Sequence, residues 1–269
     1  MYKYDGLLVH QSHDDDGIIE VVELAGVRSL HFGSASIQSA MYLDEPDQLA
    51  LAYVRTMTCW MLFKETLADK ALVVGLGGGS ITKHLLQHFP DCHLTVVECR
   101  ESVVRVARSH FALPFDRRLK VIIDDGGQYV RKRADSHRER YSLMVVDAFD
   151  HEGMAGSISN QTFFDACQAM LKDDGILVIN LWGGTSNPVF QSAALWLGRA
   201  FDWKILFLPV TGRGNIIGLA FNSTPPAVTL KSLRARAAAL EQKYQIDFPA
   251  FLKELKKHNA STLKQVIKP

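Results

Sequence analysis

Asp147 and Asp150 close the apolar run Leu143-Met144-Val145-Val146. An Asp-x-x-Asp at the end of a buried strand puts two carboxylates at one edge of a sheet, where open α/β sheets bind their ligands. Carboxylates placed there can hold an ammonium group and then accept its proton, so the pattern suits a base acting on an amine. The bland alternative is a pair of turn caps, for which Asp is well suited. Upstream, Leu72-Val73-Val74 runs into Gly75-Leu76-Gly77-Gly78-Gly79-Ser80. Glycines at that place let the backbone turn tightly and approach a ligand, and the following helix aims free N–H groups at it. Alone the loop is a weak signal, because it can exist only to pack strand on helix. Two further acids strengthen it. Glu98 ends the next strand-like run, where a carboxylate can accept both hydroxyl protons of a ribose. Asp124-Asp125-Gly126 ends the third run, where a carboxylate can receive an adenine amino group. The dinucleotide fingerprint would pass through Gly75 and Gly77 to Ser80, and it tolerates Ala at that third place, so a nicotinamide ligand stays open. Acids on the third and fourth strands fit an adenosyl sulfonium ligand better.

These residues need a frame. From Ala71 onward, strand-like runs at 71–74, 93–98, 119–123, 143–147, 175–181 and 203–209 alternate with helical stretches such as 80–89, 101–111 and 161–171. That alternation predicts a mostly parallel sheet covered by helices on both faces. Asn187-Pro188 supplies a cap and a first-position proline for a helix to about Phe201. Gly212-Arg213-Gly214 can turn the chain back into a last strand over 215–221, which would then be antiparallel. Before the sheet, residues 1–45 read as short antiparallel strands with a turn at Asp16-Gly17. The cluster His10, His13, Asp14, Asp15, Asp16 has metal-ligand chemistry, but most of it is expected at that turn, and no metal is expected there. Asp44-Glu45-Pro46-Asp47 is expected to open a helix through about Leu67. Pro225-Pro226 ends the α/β domain of 46–224, and 225–269 reads as an extension of two or three amphipathic helices.

Composition excludes whole classes. The chain has 269 residues, 47% of them hydrophobic and 22% charged, which are globular values. Thirty Lys and Arg against 29 Asp and Glu leave a net charge of +1, so no global field draws nucleic acid or an anionic membrane. No apolar run approaches the roughly 20 residues of a membrane span, and the N-terminus has no signal-peptide core. A cytoplasmic protein is expected. Cys59, Cys92, Cys99 and Cys167 form no C-x-x-C pair and are expected as free, buried or half-buried thiols.

The order GLGGG, VVEC, IIDDG, VVDAFD, then a glycine-containing loop and Phe163-Phe164-Asp165, resembles the spermidine synthases over about residues 36–222. The resemblance implies a Rossmann-like class I methyltransferase fold: a mostly parallel seven-stranded sheet with its last strand antiparallel, a small N-terminal antiparallel β-region and a C-terminal helical extension. Carried over position by position, the acid for the ribose hydroxyls falls on Glu98 and the acid for the adenine side on Asp125. The catalytic Asp falls on Asp147, and a second Asp that helps hold the amine falls on Asp150. The loop 151–160, with Gly153 and Gly156, resembles a gate over that site, and Gln38 matches an early Gln of the family. The chain also departs from the pattern. The family's Asp for the donor's aminopropyl end falls on Gly78. Its Tyr before the first strand falls near Leu51, and Tyr53, two residues on, is expected to point elsewhere. Its late Tyr falls near Val210-Thr211.

The implied reaction moves an aminopropyl group from decarboxylated S-adenosylmethionine to a small-molecule amine, with no permanently bound cofactor. The alternatives are a methyltransferase using intact S-adenosylmethionine and a non-catalytic adenosyl-binding protein. The missing partners at Gly78, Leu51 and Val210 predict that putrescine is a poor acceptor. Neither nucleic acid nor membrane is expected as a partner, and a homodimer is left open.

Overall fold

A computed structural model describes residues 4–148, 155–184, 186–223 and 227–268. Strands β1 (Leu7–Asp14), β2 (Gly17–Leu24), β3 (Val27–His31) and β4 (Ser39–Tyr42) form a small antiparallel sheet in chain order. Asp14 faces Gly17 across a tight turn, and Gly17 adopts a φ of 105° that a side chain would strain. The polar cluster expected at this turn lies mostly on β1, where His10 through Asp14 pair with Val21 through Gly17. The loop is so short that only Asp15 and Asp16 remain outside the ladder. Among the described residues no group of three His, Cys, Asp or Glu could hold a metal ion.

The helix expected from Asp44 to Leu67 is much shorter. It comprises α1 (Ala52–Met57) and a 3₁₀ turn over Thr58–Leu62. Leu49 bridges back to Met41 of β4, and the Arg55 guanidinium donates to the carbonyls of Leu49 at 2.7 Å and Ala50 at 2.8 Å. Those carbonyls are satisfied without helical partners, which leaves the stretch before α1 extended.

The main sheet alternates with helices as the sequence predicts. Its elements run β5 (Lys70–Val74), α2 (Ser80–His88), β6 (His93–Glu98), α3 (Glu101–His110), β7 (Leu119–Ile123) and α4 (Gly126–Arg133). They continue with β8 (Tyr141–Val146), α5 (Gln161–Met170), β9 (Leu171–Trp182), α6 (Pro188–Ala200), β10 (Ile205–Pro209) and β11 (Asn215–Phe221). The strand order is β10-β11-β9-β8-β5-β6-β7, and β11 alone is antiparallel to its neighbours. Successive residues of β5 face opposite sides, as the strand period of two requires. Ala71 and Val73 join one core, while Leu72 and Val74 join another that includes Phe163, Phe164 and Phe190. Three C-terminal helices, α7 (Leu230–Tyr244), α8 (Phe248–His258) and α9 (Leu263–Val266), put Leu233, Phe248, Leu255 and Val266 into the first core. Asn259 ties them to β10 by exchanging two 2.7 Å hydrogen bonds with the Phe207 backbone. α3 joins the two sheets, with Val104 facing the main core and Val103 and Val106 packed on Ile19, Val21 and Leu30. No helix among the described residues is long and apolar enough to cross a membrane. All four cysteines are free, and Cys59, Cys92 and Cys167 are buried. Cys99 is exposed, contrary to expectation, because it lies where the chain turns from β6 into α3.

Candidate active site

The strand order reverses between β5 and β8, and the glycine loop meets the fourth-strand acid at that point. The Asp147 amide donates to the Val74 carbonyl at 2.9 Å. Gly75 has a φ of 92°, and a Cβ there would run into the Asp147 carbonyl. Only glycine permits both the conformation and the approach. Gly77 and Gly79 also have positive φ, at 55° and 79°, and Gly79 opens α2. A Cβ on Gly78 would lie 2.7 Å from Ser39 Oγ and 2.9 Å from Phe111 Cδ1. The small sheet and the end of α3 therefore occupy the space in which an acid at this position would start.

Glu98 is 7% exposed and holds the ends of the first strands together. Its Oε2 accepts from the Leu76 amide at 2.9 Å, and its Oε1 accepts from the Arg100 amide at 3.0 Å and the Cys99 thiol at 3.4 Å. A carboxylate has about four lone-pair sites, so displacing the weak thiol donor leaves two for incoming hydroxyls. Arg100 in turn binds Asp14, with Nη2 at 2.7 Å from Oδ1 and Nε at 3.0 Å from Oδ2. Burial raises the Asp14 pKa, but Arg100 and Ser102 outweigh it and hold the carboxyl below its usual value. The residue with apparent metal-ligand chemistry thus anchors the small sheet beside Glu98.

Asp124 and Asp125 are half-buried at the end of β7, next to Glu98, whose carbonyl accepts from the Asp124 amide at 3.1 Å. Asp125 caps α4, with Oδ1 accepting from the Gln128 amide at 2.7 Å. A Cβ on Gly126 would strike Val74, and one on Gly127 would strike the Ser157 carbonyl, so α4 packs closely on both the sheet and the segment after residue 155. α4 was not among the helices read from the sequence, and Gly126-Gly127 is the signal for its close packing.

Asp147 is half-buried, and both of its oxygens are engaged. Asn180 Nδ2 donates to Oδ1 at 2.9 Å, and the Tyr53 hydroxyl donates to Oδ2 at 3.2 Å. Tyr53 is a correction: it does reach this site. α1 starts later than expected, at Ala52 after an extended stretch, and its first turn puts the Tyr53 hydroxyl beside Asp147. The Tyr53 hydroxyl also lies 3.3 Å from the Gln38 carbonyl, which brings Gln38 to the same place. Asn180 is held in turn, because its Oδ1 accepts from Asn215 Nδ2 at 3.0 Å. Burial pushes the Asp147 carboxyl above its ordinary range, and the Asn180 and Tyr53 donors oppose that without cancelling it. Burial, and then the Asp147 charge, lifts the Tyr53 hydroxyl well above its usual value, so it remains a donor. Asn180 and Asn215 were missed in the sequence, where the available signal was a polar residue inside each of two apolar strands. Asp150 and Gly153 lie outside the described residues. Val210, near the expected late Tyr, is buried and bonds through its amide to the Asn215 carbonyl at 2.9 Å.

This sheet, with a glycine loop on β5 and acids closing β6, β7 and β8, defines the class as the Rossmann-like methyltransferase fold, whose ligand crevice lies at this edge. The chain belongs to the spermine/spermidine synthase family: the Spermine/spermidine synthase domain matches residues 50–183. It is 34% identical over 242 residues to a polyamine aminopropyltransferase of Neisseria meningitidis serogroup A, covering 90% of each chain. It is 33% identical over 245 residues to the Chromobacterium violaceum polyamine aminopropyltransferase, covering 91% of each. In fold it is similar to the crystal structure of a probable spermidine synthase from Corynebacterium glutamicum, with a TM-score of 0.72 and 19% identity over 87% of this chain and 88% of that one.

Proposed function

We propose that this enzyme transfers the aminopropyl group of decarboxylated S-adenosylmethionine to an amine, with Asp147 as the base. The observation that carries the reading is the Asp147 carboxylate, which receives Asn180 on one oxygen and Tyr53 on the other beside the glycine loop. An alkylamine has a pKa near 10.4 and arrives as an ammonium. Asp147 takes one proton through a remaining lone pair, which frees the nitrogen pair to attack. The nitrogen bonds to the aminopropyl carbon next to sulfur as the C–S bond breaks. The bonding electrons pass to sulfur, which leaves as the neutral thioether of methylthioadenosine. The product is a secondary ammonium, and the one proton released leaves through Asp147. Because the positive sulfur is already a good leaving group, the protein mainly aligns the partners and manages that proton.

Glu98 would hold the ribose hydroxyls, Asp124 and Asp125 the adenine side, and the loop Gly75–Gly79 the donor between them. Gln38 would close the donor side, and Asp150 would attract the ammonium. A cytoplasmic setting belongs to the same proposal. The test is product analysis by mass spectrometry with decarboxylated and intact donor in parallel, each with a panel of amines. Methylthioadenosine and an aminopropylated amine from the decarboxylated donor support the reading. A methylated product from the intact donor, or no product from either, would overturn it.

A further inference from the structure

The amino-terminal halves of β7 and β8 lie at the opposite end of the sheet from Glu98 and Asp147. There a cavity of about 110 Å³ is lined by Lys120, Tyr129, Arg133, His137, Arg140 and Tyr141, among other residues. Its floor is built of buried side chains, with Tyr129 4% and Tyr141 1% exposed. His137 is half-buried against both rings, at centroid distances of 6.2 and 6.0 Å, and its Nδ1 is 3.5 Å from the Tyr141 hydroxyl. Lys120, Arg133 and Arg140 are exposed at the rim. Among the described residues none of the three forms an ion pair, whereas Arg118, Lys172 and Arg236 each meet a carboxylate. The helix dipole explains a cation in the last turn of α4, where Arg133 sits. Arg133 and Arg140 also stand over the Tyr129 and Tyr141 rings, at 5.7 and 6.0 Å from the centroids, and Lys120 joins them at the rim from β7. Like charges around a concave site raise the local potential and concentrate anions. The His137 pKa is lowered, by burial first and then by Arg140, Arg133, Lys120 and Lys70, all of them cations.

We propose that this cavity is a binding site for a phosphate-type oxyanion, either the free ion or the phosphoryl group of a small monoester. A water's share of liquid volume is about 30 Å³, so the cavity has room for about three or four waters, or one tetrahedral oxyanion in their place. The rim supplies two guanidinium forks and an ammonium as donors to its oxygens, while the Tyr129 and Tyr141 hydroxyls bond to each other, that of Tyr141 also to His137, and hold the floor in place.

The experiment titrates inorganic phosphate and, separately, glycerol 3-phosphate into the intact protein by calorimetry and thermal unfolding, against sodium chloride of matched ionic strength. Saturable binding and a raised melting temperature are expected with at least one probe. Binding of both identifies the phosphoryl group as the feature recognised. Binding of phosphate alone identifies the free ion, and binding of glycerol 3-phosphate alone identifies the ester. The double variant Arg133→Gln/Arg140→Gln should lose the binding while its aminopropyl transfer stays unchanged, which also shows that it is folded. Lys120→Gln alone should weaken binding by about tenfold, the usual worth of one charge-assisted bond. No binding beyond the chloride control, or undiminished binding by the double variant, overturns the proposal.

Discussion

The Tyr53 hydroxyl lies within hydrogen-bond distance of both Asp147 Oδ2, at 3.2 Å, and the Gln38 carbonyl, at 3.3 Å. It has one proton and so can serve only one acceptor at a time. The charged carboxylate is the stronger acceptor, and protonating Asp147 releases Tyr53 to the carbonyl. The protonation state of Asp147 is thereby linked to the contact between α1 and the residue that enters β4.

Tyr53→Phe keeps the ring and removes that donor. With burial already raising Asp147, losing a bond to its ionised form raises its pKa further. A base is lost as pH falls through its pKa, so the acid limb of the kcat/KM profile should move to higher pH in the variant. The wild-type limb should itself lie above the ordinary carboxylate range. A pH–rate comparison checks this, and coincident profiles would show that Tyr53 does not act on Asp147.

Asn215→Leu leaves Asn180 without the partner that fixes its amide. The flipped amide would turn its oxygen toward the Asp147 carboxylate. Both Asn215→Leu and Asn180→Leu should lower kcat/KM at neutral pH, each by about tenfold or more, as expected for losing a bond to a charged group. The double variant should cost much less than the two losses combined, because both act through one bond. A full double-mutant cycle measures this, and additive losses would mean that Asn215 acts only on packing.

Methylthioadenosine should raise the melting temperature, and Glu98→Ala should largely abolish that shift. Two charge-assisted bonds to the ribose are together worth roughly 2–4 kcal/mol. The ligand-free variant should also melt earlier, since the amides of Leu76 and Arg100 lose their acceptor. An unchanged ligand shift would remove Glu98 from the donor site.

Putrescine should be a poor acceptor compared with another amine in a panel of mono-, di- and triamines. Because the Tyr53 hydroxyl reaches Asp147, the argument now rests on Gly78 and Val210. A Cβ at Gly78 would crowd Ser39 Oγ and the Phe111 ring, so an acid there would require those side chains to shift. Steady-state kinetics over the panel decide the matter, and a highest efficiency for putrescine would contradict the expectation.

The strand and helix alternation and the acids at the sheet edge are legible because each leaves a local mark: an apolar run, a glycine loop, an acid at a strand end; the antiparallel last strand rests on the resemblance. What was not legible depends on distant contacts. A helix running from Asp44 would point Tyr53 elsewhere, whereas the Leu49–Met41 bridge and Arg55 delay the start of α1. In sequence the Asp14 carboxylate stands beside histidines, yet its partner is Arg100, 86 residues away. Asn180 and Asn215 stand on adjacent antiparallel strands, and only the β9–β11 pairing brings their amides together.

The most direct test of the account is Asp147→Asn, assayed in single turnover with decarboxylated S-adenosylmethionine and the best amine, with methylthioadenosine binding measured in parallel. Asn keeps the shape of the side chain and its packing but cannot take the amine proton. The account predicts nearly unchanged methylthioadenosine affinity and a rate lowered by about 10²- to 10⁴-fold, the usual worth of a positioned base. A variant that binds methylthioadenosine and turns over at the wild-type rate would make Asp147 a turn cap and contradict the mechanism.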